Sequence, residues 1–231
     1  YNVQSAVDIK HHLIVAHEVM NKGTDRAQLC SIAKQTKAAL KTYELQVVAD
    51  RGYFSSLEIL ACHEDGITVT LPKPMTSGSK AGGRFTKQDF RYVADEEVYM
   101  CPAGERLAYY FTNVEKGLTL RRYWTNTCRR CAIKGQCTTG KQRRITRWEH
   151  EHLLDDVQRR LDEHPEKMKQ RRETVEHPFG TIKHWMGYTH FQMKTLKRVG
   201  TEMALHVLAY NIKRVINIMG IRPLITAMMA A

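Results

Sequence analysis

The 231-residue sequence lacks any apolar run approaching the ~18 uninterrupted residues that a membrane-spanning helix needs. Its most apolar stretch, 203–219, is broken by His206, Asn211, Lys213, Arg214 and Asn217, so it reads as a core helix and no membrane partner is expected. No secretory signal, internal repeat or long low-complexity tract is visible. The first residue is Tyr1 rather than Met, so the silence about targeting is partial. The middle of the chain also lacks negative charge. Residues 121–150 hold nine basic side chains (Arg121, Arg122, Arg129, Arg130, Lys134, Lys141, Arg143, Arg144 and Arg147) against Glu149 alone. Residues 1–70 sum to −1 and the remainder to +13, which together give the net +12. Such one-sided charge attracts a polyanion and predicts salt-dependent binding, with a merely soluble basic surface as the alternative.

Periodicity points to a mixed α/β chain. Asn2–Val7 and His12–Val19 are β-rich runs separated by Asp8-Ile9-Lys10, which suits a hairpin. Thr24 or Asp25 is placed to cap a helix through about Leu40. A strand over 45–49, a helix from Ser55 or Ser56 to Glu64, and a strand over 67–71 follow, the order of parallel strands joined by crossover helices. The pattern breaks at Pro72-Lys73-Pro74, and 76–83 has loop chemistry. Short strands then include a hairpin of 107–112 with 118–124. Thr146-Arg147-Trp148-Glu149 has capping-box form before an amphipathic helix. Pro165 suits the first turn of the next helix, Pro178 kinks or restarts it, and a last helix closes at Gly220. Three segments are expected: 1–71, a basic cysteine-containing insert at 72–145, and a helical remainder at 146–231.

The six cysteines are unevenly placed. Cys30 and Cys62 are isolated and read as small core residues. Cys101, Cys128, Cys131 and Cys137 fall in the insert, with 26, 2 and 5 residues between them. The two-residue spacing of Cys128 and Cys131 lets two thiolates converge on Zn²⁺, and Cys101 and Cys137 complete a tetrahedron. The flanking sequence is too short to bury a core, so a structural metal fits there, and nearby arginines are expected to favour thiolates. Unliganded cysteines or a disulfide remain the alternatives.

Two acidic positions carry the functional reading. Asp50 ends an apolar strand, where sites of open α/β sheets gather, although an Asp there is also a common turn former. In Arg172-Glu173-Thr174-Val175-Glu176-His177-Pro178-Phe179-Gly180-Thr181-Ile182-Lys183, helical spacing puts Arg172, Glu176 and Lys183 on one face. A solvated ion-pair helix has the same pattern. Trp124, Trp148 and Trp185 are candidates for stacking on a displaced base, against the commoner role of tryptophan in a core.

Together these stretches resemble a known family. Val47-Val48-Ala49-Asp50-Arg51-Gly52-Tyr53-Phe54 is similar to the second catalytic Asp motif of bacterial insertion-sequence transposases of the DDE superfamily, and Arg172, Glu176 and Lys183 match its R-x₃-E-x₆-K signature. Tyr1–Gln4 and Ala6-Val7-Asp8 look like the family's hairpin. The resemblance implies an RNase H-like fold, a mixed sheet flanked by helices, interrupted here by a small β-rich, zinc-ribbon-like insert. It also implies metal-dependent cleavage and strand transfer at insertion-sequence ends. Asp50 and Glu176 would hold a two-ion Mg²⁺ site, and Arg172 and Lys183 would clamp phosphates, with Arg143, Arg144 and Arg147 binding the backbone. Double-stranded DNA is the implied partner, a homodimer on DNA the implied assembly, and the nucleoid of a bacterial cytoplasm the implied location. Two departures stand out. Lys169 occupies the signature's tyrosine position, and the first catalytic Asp belongs to a strand preceding Asn2, so the chain is expected to be N-terminally truncated and inactive as it stands. Asp8 is the nearest carboxylate to that role but reads as a turn residue. Other functions compatible with the residues are a zinc-ribbon DNA-binding protein without catalysis and a metal-dependent nuclease that cuts without joining.

Overall fold

The computed structural model describes residues 1–74 and 82–230, so most of the 76–83 run expected to be a loop lies outside the described residues. Two compact units divide the chain: Tyr1–Pro74 with Leu154–Ala231, and Met75–Leu153.

In the first unit, β1 (Asn2–Val7) and β2 (Ile14–Met20) form the expected antiparallel hairpin, with a register shift between Ala6 and Val7. Asp8 makes the turn: its carboxylate accepts from the His11 amide at 2.6 Å, and His12 N–H donates to its carbonyl. A short carboxylate that satisfies a nearby backbone amide is the usual chemistry of Asp in a turn. Next comes α1 (Leu29–Leu40), which buries Leu29, Cys30, Ile32 and Ala33. It starts later than expected, and Asp25 is engaged elsewhere, as described below. β3 (Leu45–Val48) and β4 (Ile67–Thr70) pair in parallel, joined by α2 (Ser56–Glu64), the crossover that a parallel pair requires. Cys62 is fully buried and Cys30 nearly so, as small core residues.

The helices after the second unit complete this core. α3 (Glu151–Glu163) sends Arg160 to the Val69 carbonyl at 2.9 Å. α4 (Glu166–Gly180) begins after Pro165 and contains Pro178, which cannot donate an amide to the turn before it. Instead of breaking, the chain widens into a π-helical segment, Thr181–Trp185, in which Met186 N–H donates to the Thr181 carbonyl. Such a segment often marks a functional site. α5 (Leu196–Met219) stops, as expected, at Gly220, whose φ of +83° is open to glycine at little cost. A short α6 (Ile221–Met229) follows that the sequence reading did not foresee. Ile14, Ile182, Met203, Val207 and Tyr210 form one buried cluster, against which Val3, Val7 and Val19 pack.

Polar side chains on α5 tie it to the hairpin. Asn211 acts as a surrogate strand partner: its Oδ1 accepts from Ile14 N–H at 3.0 Å and its Nδ2 donates to the Ile14 carbonyl at 2.9 Å. Tyr210 donates its hydroxyl to the His12 carbonyl, and Arg214 Nε donates to that of His11. Because Tyr210 has spent its proton, it accepts from Nδ1 of His177 at 2.9 Å.

The second unit is a five-stranded antiparallel sheet in the order β5 (Arg91–Val93), β6 (Val98–Met100), β7 (Arg106–Glu115), β8 (Leu118–Trp124), β9 (Ile145–Trp148). Lys116 and Gly117 join β7 to β8 with φ of 51° and 78°. Positive φ at both central positions is what a two-residue hairpin turn matching the strand twist requires. β9 corrects the capping-box expectation at 146–149. Ile145 and Thr146 are β-branched and pair with Tyr123 and Arg122, and the helix begins only at Glu151. The backbone-to-carboxylate bond of such a box falls two residues later, where Trp148 N–H donates to the Glu151 carboxylate at 3.0 Å. Phe90, Tyr99, Leu107, Tyr123 and Ile145 form this unit's core.

The mixed α/β architecture agrees with the RNase H-like expectation, and no helix among the described residues is long and apolar enough to cross a membrane. If Asn211 substitutes for a strand partner, Asn211→Ala leaves Ile14 N–H, on a residue 4% exposed, without an acceptor. Chemical denaturation should show a loss of roughly 1–3 kcal/mol, the usual cost of an orphaned buried donor. An unchanged midpoint would refute the assignment.

Candidate active site

Asp50 stands at the carboxyl end of β3, where the strand gives way to a single 3₁₀ turn, Arg51–Tyr53. Its Oδ1 accepts from Arg51 N–H at 2.6 Å, which fixes one oxygen, and its side chain is 54% exposed. Its Oδ2 lies 3.6 Å from Arg171 on α4. Thr174 and Pro178 are buried and share the inner stripe of α4 with Arg171. At 3.6 residues per turn, Arg172 and Glu176 lie about 100° and 140° around the helix from Arg171, and both are exposed. The helix bearing Glu176 thus reaches Asp50, but through Arg171. The sequence reading missed Arg171 because two adjacent arginines differ only in which helix face they occupy.

Lys183 lies inside the π-helical segment. A π turn advances fewer degrees per residue than an α turn, so Lys183 departs from the face it would share with Glu176 on an uninterrupted α-helix. Trp185, at the end of that segment, is 83% exposed, whereas Trp148 is a core residue at 3%. Lys169, in the signature's tyrosine position, is exposed and lies 3.9 Å from Glu173.

A polar network beside Asp50 was also not foreseen. Asp25 Oδ1 accepts from Asn2 Nδ2 at 2.6 Å and from Gln4 Nε2 at 2.7 Å, while the Tyr53 hydroxyl donates to Gln4 Oε1. Gln4 is 1% exposed, a buried amide with both ends satisfied. The sequence offers Thr24 or Asp25 as a helix cap, a role in which a polar side chain before an apolar stripe looks the same. Burial pushes the Tyr53 phenol up to about 12, with Asp25 and Asp50 adding negative charge and Arg171 opposing.

Next to this network, β1 and β3 line one cavity of about 240 Å³, floored by Leu29, Ile32 and Ala33 of α1 and bounded by Arg171, Thr174 and Val175 of α4. Among the described residues β1 pairs only with β2 and β3 only with β4, so each strand has one unpaired edge. β4 is buried along most of its length, but Val47 and Val48 of β3 are only half-buried.

In the second unit, Cys101, Cys128, Cys131 and Cys137 are half-buried free thiols lining a single cavity of about 20 Å³. Burial raises the Cys137 thiol above its usual range, outweighing the nearby Arg143, so the expectation that arginines favour the thiolate does not hold at Cys137. Among the described residues no group of three or more His, Cys, Asp or Glu is arranged to hold a metal ion, in this unit or around Asp50. The zinc expectation therefore gains a shared cavity but no coordination group. The three arginines expected to form one DNA-binding cluster go to three different rings, Arg143 and Arg144 from the segment just before β9 and Arg147 from within it. Arg143 lies over Phe90 at 5.6 Å and Arg147 over Tyr92 at 3.8 Å, both rings of the core side, whereas Arg144 is exposed and lies over Trp124 at 5.1 Å.

The family model described as Transposase DDE domain matches residues 100–216, just over half of the chain. The chain belongs to the DDE transposase family. The matched span contains Arg172, Glu176 and Lys183 with the four cysteines of the insert, and it leaves out Asp50. No match was found among curated proteins or among solved structures. Membership makes DNA the partner of this transposase chain and phosphoryl transfer its general chemistry.

The raised Tyr53 pKa has a consequence for stability. An unfolded phenol titrates near 10, so the contribution of Tyr53 is complete below that pH and is lost as pH rises toward about 12. Tyr53→Phe should flatten the alkaline fall in stability across that interval. An identical alkaline limb in the variant would show that Tyr53 is not the group responsible.

Proposed function

We propose that this DDE transposase chain performs metal-dependent cleavage and strand transfer at the ends of its element, with Asp50 and Glu176 as metal-binding carboxylates. The observation carrying the proposal is the contact of Arg171 with Asp50, which brings the helix of Glu176 to the carboxyl end of the β3 strand. Both carboxylates are exposed and offer hard oxygen donors, which suit Mg²⁺. When bound, such ions supply an activated nucleophile and stabilise the leaving oxygen of an in-line displacement. The protein's own part is positional. Arg51 N–H fixes one oxygen of Asp50, the Gln4–Tyr53 bond steadies the turn that follows, and Arg171 offsets the carboxylate's charge. Arg172 and Lys183 contact DNA phosphates, Arg through a planar fork and Lys as a point charge. A homodimer on DNA belongs to the same reading.

Two exposed carboxylates are few for a pair of divalent ions, which need several charged oxygens between them. The cavity between β1 and β3 supports a location for another. Its two unpaired strand edges and apolar floor suit one more strand, which would bring a further carboxylate beside Asp50. Asp8 also borders this cavity, but it serves the β1–β2 turn, where its Oδ2 accepts from the His11 amide, and it is not assigned that role. In the insert, the cavity shared by four thiols favours one structural Zn²⁺, to be checked by metal analysis of the purified protein, with no bound zinc counting against it.

The test is Mg²⁺-dependent nicking and joining of an element end by protein carrying that further strand. Asp50→Asn and Glu176→Gln should each lower the rate by at least about 10²-fold, the scale of losing one group that stabilises transition-state charge. DNA binding should remain nearly intact. Joined products would separate transposition from simple nuclease action, and wild-type rates in either variant would defeat the assignment.

A further inference from the structure

In the second unit, alternation along β8 puts Tyr123 in the core and Trp124 on the opposite face of the sheet. The facing strand would ordinarily send only every second residue to that side. Here the β7–β8 register passes from Tyr109↔Tyr123 to Phe111↔Arg122, which leaves Tyr110 as the extra residue of a β-bulge. A bulge re-aims side chains, and this one brings both Tyr110 and Phe111 to Trp124. The Tyr110 ring stacks on Trp124 with centroids 3.6 Å apart and planes 11° apart, and Phe111 meets it edge-on at 5.9 Å. The Arg144 guanidinium lies 5.1 Å from the Trp124 centroid. Tyr110 and Phe111 are 43% and 46% exposed. Rings that add nothing to the core are thus held in order on a solvent face, apart from the cluster containing Tyr123.

The charge around this ridge selects its partner. No acidic residue occurs in 121–147, and Arg129 and Arg130 are exposed on the 3₁₀ turn that follows Trp124. Arg122 is already engaged by Glu115 and Asn113, so the available cations are Arg144, Arg129 and Arg130. An apolar protein segment would gain little from those charges, and a duplex hides its base faces within the stack. Unpaired nucleotides present both a π face for each ring and a phosphate for each cation.

We propose that the Tyr110–Trp124–Arg144 ridge binds single-stranded DNA by stacking on its bases. This deepens the DNA-processing reading above and rests on it, since a cut strand must part from its complement to be joined elsewhere, and the parted segment is unpaired.

The test uses the full chain with oligo(dT) of roughly 16 nucleotides, within the usual site size of a stacking surface, and the corresponding dA·dT duplex for comparison. Trp124→Ala and Tyr110→Ala should each weaken oligo(dT) binding roughly five- to a hundred-fold, the effect of losing one stacked base, and leave duplex binding nearly unchanged. Trp124→Phe should recover most of the affinity. If Trp124→Ala fails to fold, the exposed change Tyr110→Ala, with recovery in Tyr110→Phe, carries the test. Unchanged oligo(dT) binding, or equal losses on single strand and duplex, would overturn the proposal. The two readings fail separately: selective loss on oligo(dT) in a protein that never nicks DNA would uphold the ridge and defeat the catalytic assignment, and the reverse result would do the opposite.

Discussion

The hydrogen bonds joining Gln4, Asp25 and Tyr53 hold together what no backbone ladder does. The β1–β2 hairpin and the parallel β3–β4 pair are separate ribbons among the described residues, each with an unpaired edge. Gln4 lies on one ribbon and Tyr53 in the turn leaving the other, so their bond crosses from one to the other. Asp25 holds the far end of the Gln4 amide. Buried polar groups satisfied at both ends specify one arrangement, whereas apolar contacts alone tolerate sliding. Asp50 sits three residues before Tyr53, so the geometry of the proposed metal-binding carboxylate follows from this network more directly than from the strand that carries it.

The same logic recurs on α5. Its apolar stripe buries Met203, Val207 and Tyr210, but the position of the hairpin against it is set by Asn211, Tyr210 and Arg214 through the backbone of His11, His12 and Ile14. Burial provides most of the driving force, and directional bonds to a backbone that lacks ladder partners choose the register. The π-helical segment after Pro178 adds a second constraint, because it sets which direction Lys183 and Trp185 take from the helix that carries Glu176.

Where neighbouring residues alone decide conformation, the sequence could be read well. Both hairpins, the β3–α2–β4 crossover and the end of α5 at Gly220 follow from alternation, turn chemistry and glycine placement. What could not be read depends on partners distant in sequence. Asp25 looks like a helix cap until Asn2 and Gln4 are seen to claim it. Thr146–Glu149 has the form of a capping box, yet pairing with β8 makes Ile145–Trp148 a strand. Arg143, Arg144 and Arg147 look like one basic cluster until the fold sends them to different rings. Asp50 and the R-x₃-E-x₆-K spacing were visible as motifs, but a motif carries no information on helix phase, and only the fold places Arg171 rather than Glu176 against Asp50.

The central claim, that Asp50 and Glu176 bind catalytic divalent ions, is tested most directly by counting those ions. Mn²⁺ can stand in for Mg²⁺ at oxygen-rich sites and is observable by electron paramagnetic resonance. In the protein bound to element-end DNA, wild type should hold DNA-dependent Mn²⁺, with Asp50→Asn and Glu176→Gln each removing part of it while the complex stays intact. Undiminished Mn²⁺ binding in both variants would contradict the account.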